Sequence, residues 1–69
     1  MYIIQEIQTN NNVSSFLPAI VKVNKDEAES AYHMILASAA ISAVQIHTAM
    51  MFNEYGEILM RESYTHNAQ

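Results

Sequence analysis

Apolar positions along the chain recur with two periods, and each change of period marks an element. In residues 2–8, Tyr-Ile-Ile-Gln-Glu-Ile-Gln, Ile3 and Ile7 fall on one side of an extended strand. Tyr2, Ile4 and Glu6 fall on the other. Thr9-Asn10-Asn11-Asn12 follows, and asparagine tolerates the left-handed backbone of a hairpin turn. A second strand is predicted from Val13 to Val23, with Leu17, Ala19, Val21 and Val23 on one face. Pro18 has no N–H for a ladder, so this strand belongs at a sheet edge or is bulged there.

The period then lengthens. Asn24 is a capping residue, and Glu27, three residues on, completes a capping-box pattern. Asp26, Glu27 and Glu29 suit the positive end of a helix dipole. A helix is predicted over 25–41, without Gly or Pro. Ala28, Tyr32, Ile35, Leu36, Ala39 and Ala40 form one apolar stripe, and Met34, Ala37 and Ile41 a second. Period two returns at 44–53: Val44, Ile46, Thr48, Met50 and Phe52 point one way, and Gln45, His47, Ala49 and Met51 the other. Asn53-Glu54-Tyr55-Gly56 is a turn, with Gly56 placed for positive φ. A last strand covers 58–65, and residues 66–69 read as a frayed tail.

The order is β-β-α-β-β. It predicts an α+β fold, a four-stranded and mainly antiparallel sheet with the helix on one face, in a single domain spanning 1–69. Residues 31–52 hold no Asp, Glu, Lys or Arg. A membrane span needs about 20 mostly apolar residues, but Tyr32, His33, Ser38, Ser42, Gln45, His47 and Thr48 interrupt this run, and its flanks are acidic. It reads instead as a helix followed directly by a core strand. One helix covers one sheet face, so surplus apolar surface remains, either on the Met34 side of the helix or at Ala49 and Met51 on the sheet. Such patches mark interfaces, and a homodimer or higher oligomer is expected.

Composition narrows the chemistry. A chain of 69 residues buries modest surface and gains from a staple. With no cysteine, disulfides and thiolate metal sites are excluded, which leaves self-association. The three histidines, His33, His47 and His66, show no metal-ligand spacing, and neither metal nor cofactor is expected. The net charge of −4, with Lys22, Lys25 and Arg61 the only strong bases, argues against broad nucleic-acid binding. It argues equally against a polybasic membrane patch. The first residues lack the basic start of a signal peptide, and a cytoplasmic setting is expected.

No catalytic motif stands out. No serine sits in a Gly-flanked elbow, and a Ser/His/acid triad is recognised only in space. Ser38 and Ser42 read as small packing residues. Gly56 is the single glycine, so no Gly-rich phosphate loop exists. His47, mid-strand on the more polar side, is either a ligand-binding or general-base histidine, or a half-buried one satisfied by a neighbour or lying at a subunit contact. In a symmetric oligomer a few bases are repeated around a shared pocket. On that ground Lys22, His47, Arg61 and Tyr64 are the candidate contacts for a small anionic ligand; otherwise Lys22, Lys25 and Arg61 are solubilising edge charges.

"IIQEIQTNN", "EAESAYHMILASAAIS", "VQIHTAMM" and the closing "ESYTH" together resemble a set of small phage- and prophage-encoded proteins of Gram-positive bacteria. The likeness covers nearly the whole chain and carries no catalytic motif. Gly often stands in the first turn of those proteins, where Asn12 stands here. The resemblance implies a non-enzymatic accessory factor that antagonises host anti-phage defence by binding. One such class sequesters a small nucleotide immune signal between subunits. Another, of anti-CRISPR type, blocks a host protein directly. A structural oligomerisation module without a small ligand is the plain alternative.

Overall fold

A computed structural model describes residues 1–66. Strand β1 (Tyr2–Asn10) turns at Asn11 and Asn12, whose φ angles are 52° and 66°, into β2 (Val13–Phe16). Two consecutive left-handed residues make the tight hairpin whose twist matches that of its strands. The tip is tied down: Gln45 N–H donates to Asn10 Oδ1 (3.0 Å) and Asn11 N–H donates to Gln45 Oε1 (2.7 Å).

The predicted second strand is broken. After Phe16 the ladder lapses at Leu17-Pro18-Ala19 and resumes as β3 (Ile20–Lys22), which pairs with the other end of β1. The register sets these three residues against Gln5 and Glu6 alone, a one-residue bulge at the proline. Leu17 N–H donates to the Glu6 carbonyl (3.1 Å), and the Gln5 side-chain amide donates to the Leu17 carbonyl (2.6 Å). The extra residue flips the alternation, so Phe16 shares a face with Val21, and Leu17, Ala19, Val21 and Val23 do not form one stripe.

Asn24 caps helix α1 (Lys25–Ala40), its side chain accepting from the N–H groups of Asp26 (2.8 Å) and Glu27 (3.1 Å). Strands β4 (Ile46–Asn53) and β5 (Ile58–Thr65) form the second hairpin. Its turn holds Gly56 at φ 81°, and the Asn53 side chain accepts from Tyr55 N–H and Glu57 N–H, each at 3.0 Å. The five-stranded antiparallel sheet runs β2-β1-β4-β5, with β3 beside β2 on the outer edge of β1. The α+β class and one-sided helix agree with the sequence reading, and Pro18 accounts for the additional strand.

The helix lies on the face carrying Ile4, Ala49 and Met51, with Ala28, Tyr32, Ile35 and Ala39 packed down on it. Ala28, Ala39 and Ala49 are fully buried, and their small side chains let helix and sheet approach closely. This corrects one expectation: Ala49 and Met51 are core, not surplus surface. The uncovered sheet face holds Ile3, Ile7, Phe16, Val21, Ile46, Met50 and Phe52, sharing it with Gln5, Thr48, Arg61 and Ser63. On the helix, Met34 and Ile41 stay exposed, as the second stripe implied. Among the described residues no helix is long and apolar enough to cross a membrane.

Candidate functional site

The polar residues of the helix-covered face gather under the C-terminal end of α1. Alternation along β1 places Glu6 and Gln8 on the same side as Ile4, and β4 brings His47 between Gln8 and Tyr64 of its two neighbours. His47 is therefore a core residue, 3% exposed, and more deeply buried than the half-buried, neighbour-satisfied histidine of the sequence reading. Its Nε2 lies 2.5 Å from Glu6 Oε2, and its Nδ1 lies 3.0 Å from Ser42 Oγ. Gln8 Nε2 donates to the same Glu6 oxygen (3.2 Å), which fixes the carboxylate from a second side.

Proton positions follow from the partners. An ionised Glu6 only accepts, so His47 Nε2 carries hydrogen. With neutral imidazole, Nδ1 accepts the Ser42 hydroxyl. With imidazolium, Nδ1 donates to Ser42 Oγ, and the hydroxyl turns to the Ala39 carbonyl, 3.3 Å away. A rotating hydroxyl thus satisfies either state of a buried imidazole.

The helix end is held by a second histidine. His66 Nε2–H donates to the Ala39 carbonyl (2.8 Å), its backbone N–H donates to the Gln45 carbonyl (2.7 Å), and its ring stacks on Tyr64 at 6.4 Å. No basic residue occupies the last helical turn, and His66 supplies the donor that the exposed carbonyls need. The predicted tail is therefore docked at His66; residues 67–69 lie outside the described residues. Burial pushes the phenol of Tyr32 above its ordinary range, and the Glu62 carboxylate adds to the rise.

Ser42, His47 and Glu6 connect as a nucleophile, base and acid would, but the setting differs from that of an acyl-transfer site. Such a site needs N–H donors aimed at a developing oxyanion. Ser42 follows the helix C-cap, Ile41, where carbonyls are presented, and the neighbouring Val44 N–H donates to Ser42 Oγ itself (3.4 Å). The cluster holds and orients an imidazole. Among the described residues no group of three His, Cys, Asp or Glu is placed to bind a metal ion.

Of the residues singled out from the sequence, His47 and Tyr64 are cross-strand neighbours. Lys22 lies on the same face but at the β3 edge, opposite Tyr2. Arg61 lies on the uncovered face, opposite Met50 of β4. One chain does not bring all of these side chains to one pocket. The sequence reading took Ser42 for a small packing residue and His66 for tail, and it did not single out Glu6 or Gln8 as site residues. Glu6 carried a readable signal, a carboxylate in the same alternation as Ile4. Comparison with known protein families, curated proteins and solved structures gives no match.

Proposed function

We propose that this chain is a non-enzymatic binding protein that works as an assembly of identical subunits, a second copy covering its open sheet face. The supporting observation is that face, where Ile3, Ile7, Ile46, Met50 and Phe52 stand without a covering element among the described residues. A small fold with one helix gains most from burying such a surface against itself. Arg61 stands in the same face. Two-fold pairing there brings two Arg61 side chains to one interface and gives a small anion a pair of cations.

In this reading the ligand is a small nucleotide signal and Arg61 its main contact. Lys22, His47 and Tyr64 lie on the helix side, away from that interface, and serve the fold. The proposed role, resting on the resemblance, is that of a phage or prophage factor opposing host defence by sequestration. Native mass spectrometry of the protein, alone and with cyclic and linear nucleotides, tests both parts. An oligomer retaining nucleotide at fixed stoichiometry, with retention lost in Arg61→Ala, is expected. A monomer at all concentrations removes the assembly, and an oligomer that retains none removes the ligand. A second reading, direct inhibition of a host protein, draws support from a groove along the helix.

A further inference from the structure

Two depressions on the helix side meet along α1. One, of about 290 Å³, is lined by Glu6, Ile20, Ala31, Met34, Ile35 and Ser38. The other, of about 400 Å³, shares Ala31 and Met34 with it and extends to Lys22, Asp26, Glu27 and Ser30. Together they form a groove between the helix and the β3 edge. From Glu27 to Ser38 it follows the helix for about 16 Å, at 1.5 Å per residue.

The middle of the groove is apolar and its ends are acidic. Asp26 and Glu27 stand at one end and Glu6 at the other, with Lys22 the one cation on the wall among the described residues. The Glu6 side chain is 18% exposed, and Oε2 takes the bonds from His47 and Gln8. Oε1 has no hydrogen-bond partner among the described residues, and no unpaired side-chain oxygen there is sealed from solvent. That oxygen is accessible, in a depression whose other walls are largely hydrocarbon. Such a setting favours an ammonium or guanidinium on an aliphatic stem, which leaves its stem on the apolar wall and its charge on the carboxylate. Met34, 69% exposed, gives the wall an adaptable side chain.

We propose that this groove docks an extended segment of a partner protein in which two basic side chains flank an apolar one. A lone amine fills only the Glu6 end. The groove's length matches about five extended residues at about 3.3 Å each, and its acidic ends match a cation at each end of the segment. The net charge of −4 favours encounter with such a partner. The inference does not depend on self-association, because the groove lies on the helix side and the open face on the other.

The probe is the pentapeptide Ac-KTLTK-amide, titrated into ¹⁵N-labelled protein and followed by amide shifts. Controls are Ac-ETLTE-amide and n-butylammonium. Saturable shifts confined to the groove are expected, from Glu6 and Ile20 through Ala31 and Met34 to Glu27, with the acidic peptide weaker by about tenfold or more. Met34→Lys and Ser30→Lys place a cation on exposed wall positions, and each is expected to weaken binding about tenfold at unchanged melting temperature. Absent or scattered shifts, equal binding of the acidic peptide, or full binding by both folded variants would overturn the proposal. Butylammonium matching the pentapeptide in affinity would also overturn it, in favour of a small-amine site.

Discussion

Replacing Glu6 with alanine removes the acceptor from a histidine that has almost no access to water. The Glu6 carboxylate is 2.5 Å from His47 Nε2, and the two side chains are 18% and 4% exposed. A hydrogen bond to a charged group contributes about 1.5–3 kcal/mol, and an orphaned buried donor costs about 1–3 kcal/mol. These terms describe the same event from two sides and do not add. Glu6→Ala is therefore expected to cost about 2–3 kcal/mol, with some water entering beside Gln8. Glu6→Gln keeps an oxygen that accepts from His47 Nε2–H, and its expected cost is below about 1 kcal/mol. In a domain of this size each kcal/mol moves the melting point by about 4–8 °C, so the two variants should differ by about 10 °C in thermal denaturation followed by circular dichroism. Urea unfolding gives the free energies directly. Equal cost for alanine and glutamine, or a loss below about 0.5 kcal/mol for alanine, would refute the reading of this pair as the anchor of the buried polar cluster.

Tyr32→Phe tests the raised phenol. A group whose folded pKa exceeds its unfolded value near 10 favours the fold while protonated. Its contribution is constant below about pH 10 and is lost as pH rises toward the folded value. The wild type should therefore lose stability in alkali faster than Tyr32→Phe, and parallel curves from pH 9 to pH 12 would contradict this. Gly56→Ala meets no neighbour within 4 Å among the described residues but adopts φ +81°, so strain alone should cost about 1 kcal/mol in urea unfolding; a neutral result would mean the turn relaxes.

Most of the fold was legible because local signals agreed with one another. The Asn24 cap, the Asn11-Asn12 turn and the Gly56 turn each rest on chemistry within a few residues, and each stands where expected. Pro18 announced the bulge, but its consequence, the flipped alternation that pairs Phe16 with Val21 on one face, depends on register against β1. The choice of face on β4 was not legible. Val44, Ile46, Met50 and Phe52 look as fit for a core as Ala49 and Met51 do. Close approach decided it, through the alanines at 28, 39 and 49, together with the pairing of His47 to a carboxylate 41 positions away. No local pattern reports a contact of that span. His66 was misread for the same reason, since its partners are the Ala39 carbonyl and the ring of Tyr64.

The break at Pro18 also limits how the sheet can grow. An incoming strand needs an unbroken row of free N–H and C=O groups, and short, bulged edges deny it one. On one side the sheet ends in β2 and β3, four and three residues long with a proline between them. On the other it ends in β5, eight residues without proline. Only one border can be zipped to another chain. Two such borders meeting use each other up, and the borders left outward are the broken ones. Edge-to-edge contact would thus stop at a pair, which gives a small, strand-rich chain a built-in stop against running on into a fibre.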